Sequence, residues 1–315
     1  MLALFRELKS PSDKRAMRPD LIRAIELLRK PDAVSVSDAL GLLQSTVYAF
    51  SMKVCGHPQD AEDTMQDVLL GSLPYLAKIT DPKALAVWLY TVTRNRCWRS
   101  RRRSVHAPNQ TLSLGELMPN DNELAELLQS PQSSPEKQVL AKEQNEILHE
   151  AILSLPPEYR MVLALHDLED LDTEQVAQVL DLQPGTVRVR LHRARLFVRK
   201  TMAELGRGDA ERQPGMKASR SPRRKLHKER PKQCNEVFAN LSEYLDDRLS
   251  PDTCEQMRSH IDACPGCVAF IGDLRQAIDR CKTLHSGCDV DLAPKLRSML
   301  TKEYLRLVNI PAVER

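Results

Sequence analysis

His260, Cys264 and Cys267, written HIDACPGC, are the residues of this 315-residue chain whose types and spacing point most directly to chemistry. At i and i+4, His260 and Cys264 share one face of a helix, and the Pro265-Gly266 turn swings Cys267 back toward the same centre. Imidazole and thiolate donors converging in this way suit Zn2+, and Cys234 can close a tetrahedral Cys₃His site of the structural kind. Cys234 opens a helix whose apolar face is Val237, Phe238, Leu241 and Leu245. Cys254 competes for the fourth position. The same cysteines admit two other uses: a redox switch in which oxidation of the CPGC thiolates expels the metal, and a core without metal. A thiol-disulfide catalyst built on Cys264-Pro265-Gly266-Cys267 is disfavoured, because a histidine four residues upstream suits metal better and no βαβ pattern surrounds the motif.

Arginine supplies the second kind of chemistry. Between Leu171 and Lys200 the chain reads LDTEQVAQVLDLQPGTVRVRLHRARLFVRK, the pattern of a helix, a tight turn and an arginine-rich helix. Val176, Ala177, Val179 and Leu180 fall at helical spacing with Thr173 as the expected N-cap, and Pro184 is expected to bar uninterrupted helix before Thr186 caps the second one. Val187, Leu191, Ala194 and Val198 form an inward stripe, so Arg188, Arg190, Arg193, Arg195, Arg199 and Lys200 are expected to project where phosphates or base edges can meet them. The plainer reading is a solvated basic helix.

A second arginine run closes WLYTVTRNRCWRSRRR, where Arg94, Arg96, Arg99, Arg101, Arg102 and Arg103 follow Trp88, Tyr90 and Trp98. Rings that stack on unpaired bases and guanidiniums that track a backbone are how single strands are held. The alternative is that the tryptophans belong to the core. Upstream, DAEDTMQDVLLGSL sets Asp60, Glu62, Asp63, Gln66 and Asp67 on the start of a helix. Acids there complement the helix dipole, and they also present a face able to dock a basic partner helix.

Elements to position these groups can be laid out from the pattern. Eleven glycines, 4% aromatic residues and abundant Leu, Ala, Glu and Arg favour an all-α fold. Residues 1–36 form an extension with one short helix, Asp20 to Arg29. Residues 37–104 make a first helical domain, broken at Gly56-His57-Pro58 and Thr80-Asp81-Pro82, and residues 105–135 read as a flexible linker. Residues 136–205 form a second helical block holding the helix-turn-helix, and residues 206–232 a basic segment too polar to bury a core. A small metal-binding domain spans 233–285, and the tail 286–315 contains an amphipathic stretch from Pro294 to Val308. Lys and Arg number 46 against 43 Asp and Glu, a net charge of +3. Any nucleic-acid affinity must therefore come from local clusters. With no signal peptide and no apolar run near the roughly 20 residues that cross a bilayer, the expectation is a cytoplasmic protein without membrane contact. Cys55, Cys97, Cys281 and Cys288 read as small apolar residues or exposed thiols.

Together DAEDTMQDVLLGSL, WLYTVTRNRCWRSRRR and LPPEYRMVLALHDLEDLDTEQVAQVLDLQPGTVRVRLHRAR resemble regions two and four of the sigma-70 family, in its extracytoplasmic-function group, over roughly residues 38–205. The resemblance implies that Asp60, Glu62, Asp63, Gln66 and Asp67 dock on the β′ clamp helices of RNA polymerase core, with the β flap as a further partner. It implies that Asn95 to Arg103 meets the minus-ten promoter element during melting, and that the Gly185 to Lys200 helix, with Thr186, Arg188, Arg190, Arg193 and Arg195, reads the minus-thirty-five element. Asp181 stands where the family's turn commonly has glycine, Val189 replaces a frequent polar residue, and Trp98 sits where an acidic or small residue is usual. These departures bear on base preference more than on positioning.

The segment CNEVFANLSEYLDDRLSPDTCEQMRSHIDACPGC resembles the zinc-binding anti-sigma domain, a module usually found on a separate protein that holds such a sigma factor inactive. Here it is fused to its target, which implies an intramolecular anti-sigma contact. The 27 residues of 206–232 would span on the order of 30 Å as a flexible tether, and tethering raises effective concentration toward the millimolar range.

No Gly-rich phosphate loop, nucleophile elbow or H-E-x-x-H helix occurs, and the carboxylates lie in solvated runs without a histidine partner, so no catalytic residue is expected. The reading is a promoter-specificity subunit modulated by its zinc domain. A helix-turn-helix regulator that never joins polymerase is the rival, and it has no use for the Trp88 to Arg103 motif.

Overall fold

The computed structural model describes residues 19–30, 32–101, 112–119, 123, 137–211, 237, 241–246, 248–284 and 293–309. Among these no strand occurs, and no helix is long and apolar enough to cross a membrane. In chain order the helices are α1 (Pro19–Leu28), α2 (Ala33–Cys55), α3 (Pro58–Leu76), α4 (Pro82–Arg101), α5 (Leu114–Leu117), α6 (Lys137–Ser154), α7 (Pro157–Leu163), α8 (Thr173–Leu180), α9 (Pro184–Glu211), α10 (Pro251–Ala263), α11 (Pro265–Thr283) and α12 (Pro294–Asn309). Most of them open on proline, whose fixed φ suits the first helical position and whose missing N–H is no loss there.

Two compact units organise the described residues. One draws on Met1–Asn109, Arg160–Val187 and Leu284–Arg315, the other on Gln110–Tyr159 and Arg188–Thr283. In the first, α2 is the central helix. The Asp32 carboxylate caps it by accepting from the Ser35 amide at 2.8 Å, and it ends at Gly56, whose φ of 75° releases the chain into α3. Val36, Leu40, Leu43, Val47 and Phe50 of α2 are buried with Leu21 and Ile25 of α1, Met65 and Leu69 of α3, and Leu85, Leu89 and Tyr90 of α4. Phe50 and Tyr90 meet edge to face at 4.9 Å. The tail helix α12 belongs to this core. Leu300 and Tyr304 are buried, the Tyr304 hydroxyl donates to the Leu28 carbonyl at 3.2 Å, and Arg297 donates to buried Gln44 at 3.1 Å.

Residues 160–187 pack in the same unit through charge as well as apolar contact. Lys53 Nζ of α2 lies 2.9 Å from Glu169 Oε1, and the Tyr90 hydroxyl donates to Glu169 Oε2 at 2.6 Å, with the ion pair 1% and 0% exposed. Arg160 donates to the Val54 carbonyl at 2.9 Å. Between α7 and α8 the chain widens into a π-turn, Ala164–Leu168, and His166 and Asp167 within it pair at 2.8 Å, both buried. The expectation that carboxylates lack a histidine partner is corrected here: burial takes water away from both groups, so protein atoms must satisfy them.

In the second unit, Leu148, Ala151, Ile152 and Leu155 of α6, Leu191, Leu196 and Val198 of α9, and Phe270, Ile271 and Leu274 of α11 are buried. The stretch read as a flexible linker holds the short helix α5, whose Leu117 is buried, and α9 runs six residues past its expected end at Leu205.

Candidate functional site

The acidic helix α3 starts at Pro58, and Asp60, Glu62, Asp63 and Asp67 are exposed along it, with Gln66 half-buried. Ala61, Met65, Val68 and Leu69 carry the opposite stripe into the core, so the 3.6-residue period leaves the acids on one solvent face. Asp67 forms an ion pair with Arg96 of α4. One carboxylate of the acidic set is thus matched to one guanidinium of the arginine set.

On α4, Asp81 accepts from the Lys83 and Ala84 amides, both at 3.2 Å, at the helix start. Tyr90 is 1% exposed and bonded to Glu169, which removes it as a base-stacking ring. Trp88 is half-buried and stacks at a tilt on Tyr75, centroids 5.2 Å apart. Arg94 donates to Asn95 Oδ1 from Nε at 3.1 Å and from Nη2 at 2.7 Å. Partial burial draws the Arg94 guanidinium below the usual arginine range, opposed by the Asp181 carboxylate. The helix α8 that precedes the turn lies against α4. The side chains of Trp98, Arg99 and Arg101, and all of Arg102 and Arg103, lie outside the described residues.

The helix-turn-helix is present with different caps from those expected. Asp172, not Thr173, caps α8, in a reciprocal box with Gln175: the carboxylate accepts from the Gln175 amide at 2.8 Å and Gln175 Oε1 accepts from the Asp172 amide at 2.9 Å. Asp181 takes φ 55° at the turn, a conformation where glycine would cost less. Pro184 does not bar the second helix but begins it. The Gln183 carbonyl accepts from the Thr186 and Val187 amides, which places exposed Thr186 inside the first turn instead of at the cap.

Val187, Leu191, Ala194 and Val198 are buried as the stripe requires. The arginines divide around it. At 100° per residue, His192, Arg195, Leu196 and Arg199 fall on one flank, and Arg190, Arg193 and Lys200 on the other. The first flank is covered. Arg195, 2% exposed, makes a two-pronged pair with Asp246, Nη1 to Oδ2 at 2.9 Å and Nη2 to Oδ1 at 3.0 Å. Arg199, 4% exposed, donates to Asp273 at 2.6 Å, lies 3.7 Å from Glu123 and sits over the Phe270 ring at 4.6 Å. His192 Nδ1 is 2.8 Å from the Ser242 hydroxyl. The expectation that Arg195 and Arg199 project into solvent is therefore corrected: acids and a ring from residues 242–273 hold them. On the other flank Arg190 pairs with Glu158 at 2.8 Å and Lys200 donates to the Glu116 carbonyl at 2.7 Å. Arg193 on this flank is half-buried, as is Arg188, which by the same 100° step lies on the covered flank between Arg195 and Arg199.

Sequence reasoning missed Asp246, Asp273, Phe270 and Ser242 as partners of α9. One local signal was available: Leu196, a large apolar residue well off the inward stripe, implies a second buried side.

At the candidate metal centre, His260, Cys264 and Cys267 bring one donor atom each within 4.8 Å of one another. Ser250 caps α10, accepting from the Thr253 amide at 3.3 Å, and its last turn presents His260, while α11 begins at Pro265 with buried Cys267 in its first turn. His260 Nε2 and Cys267 Sγ are 3.5 Å apart. A tetrahedral edge built from Zn–N and Zn–S bonds would be about 3.5 Å, so the donor set fits zinc. Val237 and Leu241 are buried as the apolar face read from the sequence requires, whereas Cys234 and Phe238 lie outside the described residues. Cys254 is half-buried and outside this cluster, and Cys55, Cys97 and Cys281 are buried thiols.

Comparison with known families agrees with this layout. The model for Sigma-70 region 2 matches residues 41–106, that for Sigma-70, region 4 matches 145–198, and that for a putative zinc-finger matches 234–267. These define a sigma-70-type helical protein with an added zinc-finger module. The ECF RNA polymerase sigma factor SigW of Bacillus subtilis is 22% identical over 183 residues, which cover 58% of this chain and 97% of that one. The RNA polymerase sigma-H factor of Pseudomonas aeruginosa is 29% identical over 150 residues, 47% of this chain and 75% of that one. The ECF RNA polymerase sigma-E factor of Escherichia coli strain K12 is 30% identical over 144 residues, 43% of this chain and 70% of that one. The chain belongs to the ECF family of RNA polymerase sigma factors, whose role is promoter recognition.

Proposed function

We infer that this chain is an ECF sigma factor held closed by its own C-terminal helices. In the open state, Asp60, Glu62, Asp63, Gln66 and Asp67 dock on the β′ clamp helices of core polymerase. Arg94, Asn95, Arg96 and the arginines that follow then meet the minus-ten element, and α9, from Thr186 through Arg195, meets the minus-thirty-five element while region 4 contacts the β flap. The observation that carries the closed state is the two-pronged Arg195–Asp246 pair, supported by Arg199 against Asp273 and Phe270. A guanidinium committed to a carboxylate in a buried setting cannot also neutralise a phosphate.

Zinc, held by His260, Cys264 and Cys267 with Cys234 as the fourth ligand, fixes the end of α10 against the start of α11. When bound it supplies a closed, non-catalytic cross-link. That junction carries Phe270 and Asp273 into register with Arg199, so the metal positions the covering surface.

In vitro transcription with core polymerase tests this reading. Full-length Asp246→Ala/Asp273→Ala should direct more transcription from a cognate promoter than the unaltered chain, and chelation of zinc should act in the same direction. Equal or lower transcription from the variant would refute the closed state. Point substitutions are the cleaner perturbation, because truncation after residue 232 would also strip α12, with Leu300 and Tyr304, from the core containing α2.

A further inference from the structure

We propose that Cys55 and Cys97 are a redox-modifiable thiol pair, which disulfide-class oxidants convert into a covalent staple between α2 and α4. Cys55 is the last residue of α2 and Cys97 lies in the closing turns of α4, 42 positions later. Their Sγ atoms are 3.0 Å apart, closer than two sulfurs rest without a bond or hydrogen bond between them. Neither cysteine is in a disulfide, and both are buried, at 2% and 0% exposure. The Cys55 thiol donates to Cys97 Sγ, and the Cys97 thiol faces the Thr64 hydroxyl of α3 at 3.9 Å. Two small apolar residues would fill this space without such an approach. A closure of about 1 Å brings the sulfurs to the roughly 2.05 Å of an S–S bond.

The pair belongs to the compact unit that lacks His260, Cys264 and Cys267, and neither thiol serves the metal centre. The oxidation balances as two exchanges. One cysteine thiolate attacks a sulfur of RSSR and expels RS⁻, and the second thiolate then attacks the first cysteine's own Sγ within that mixed disulfide, forming the Cys55–Cys97 bond and expelling the second RS⁻. Two electrons pass to the oxidant, and the two thiol protons leave with the two RSH. Burial sets the rate, since the oxidant reaches Cys55 only when the end of α2 beside Gly56 opens.

The ring that closes contains all of α3, with its acidic face, and the part of α4 that carries Arg94, Asn95 and Arg96. Tying the two helices removes unfolded-state freedom, so oxidation leaves the helices in place and makes them harder to melt.

Peptide mapping of the full-length chain tests this without relying on any variant. After oxidised glutathione, digestion without reductant should yield the Cys55 peptide joined to the Cys97 peptide, lighter than their sum by two hydrogens and separated again by dithiothreitol. The thermal midpoint should rise by several degrees on oxidation, and this rise should vanish in Cys55→Ser and in Cys97→Ser. Recovery of both thiols in alkylatable form, separate glutathione adducts on each, or linkage of either to a metal-centre cysteine would overturn the proposal.

Discussion

Asp246→Ala isolates the contact on which the proposed closed state turns, because it alters the covering segment and leaves every residue proposed to meet the promoter intact. The Arg195 side chain is 1% exposed and that of Asp246 is 16% exposed, with two hydrogen bonds of 2.9 and 3.0 Å between them. Removing one partner of a fully buried pair costs about 3–5 kcal/mol, chiefly because the remaining charge is stranded. Asp246 keeps some access to water, which screens the pair, so about 2–3 kcal/mol is the appropriate range. That energy disfavours only the closed arrangement, since in the open one Arg195 is solvated. At about 1.4 kcal/mol per tenfold, the closed-to-open ratio should fall roughly 30- to 140-fold. The assay is anisotropy of a fluorescent promoter fragment titrated with core polymerase and the full-length chain, read beside multi-round transcription. A gain in apparent affinity approaching that factor is expected while closure dominates the unaltered chain. If affinity and transcription both stay within twofold of the unaltered protein while circular dichroism shows intact helices, Arg195 is not the restraint.

Three further outcomes can be checked independently. Glu169→Gln leaves Lys53 buried with no carboxylate and should lower stability by about 3–5 kcal/mol in urea unfolding, whereas Lys53→Met/Glu169→Gln should recover much of that loss; equal destabilisation by both would contradict it. Neutralising Arg188, Arg190 and Arg193 together should flatten the salt dependence of promoter binding by up to about 0.9 log units per lost phosphate contact, and an unchanged slope would count against α9 as the DNA-reading helix. Burial raises the Tyr304 phenol above its ordinary pKa, which favours its neutral form in the folded state. The docking of α12 should therefore be fully present below the ordinary tyrosine value of about 10 and weaken as pH rises beyond it. Hydrogen exchange of α12 amides should quicken there, and Tyr304→Phe should remove the dependence.

Helix positions were legible to within a residue or two wherever proline marks the first turn, as at Pro58, Pro82 and Pro294. Pro184 obeys the same rule, and reading it as a barrier was the error; the φ constraint that stops a helix in mid-course also starts one. The cluster of His260, Cys264 and Cys267 and the acidic stripe were legible because their residues lie within eight positions of each other. Arg195 was not, for the converse reason. A charge on a helix reads as solvated until a partner 51 residues away is known, and no local pattern encodes that distance. Glu169 was hidden likewise, with Lys53 supplied from 116 positions upstream.

The π-turn at Ala164–Leu168 amounts to one surplus residue in the path between α7 and α8. Deleting a single residue there would restore an ordinary helical repeat and rotate everything downstream by about 100°. Glu169 would be carried away from Lys53 and Tyr90 with no change in amino-acid type at any of the three. Spacing in this stretch is therefore as much a determinant of that buried group's assembly as composition.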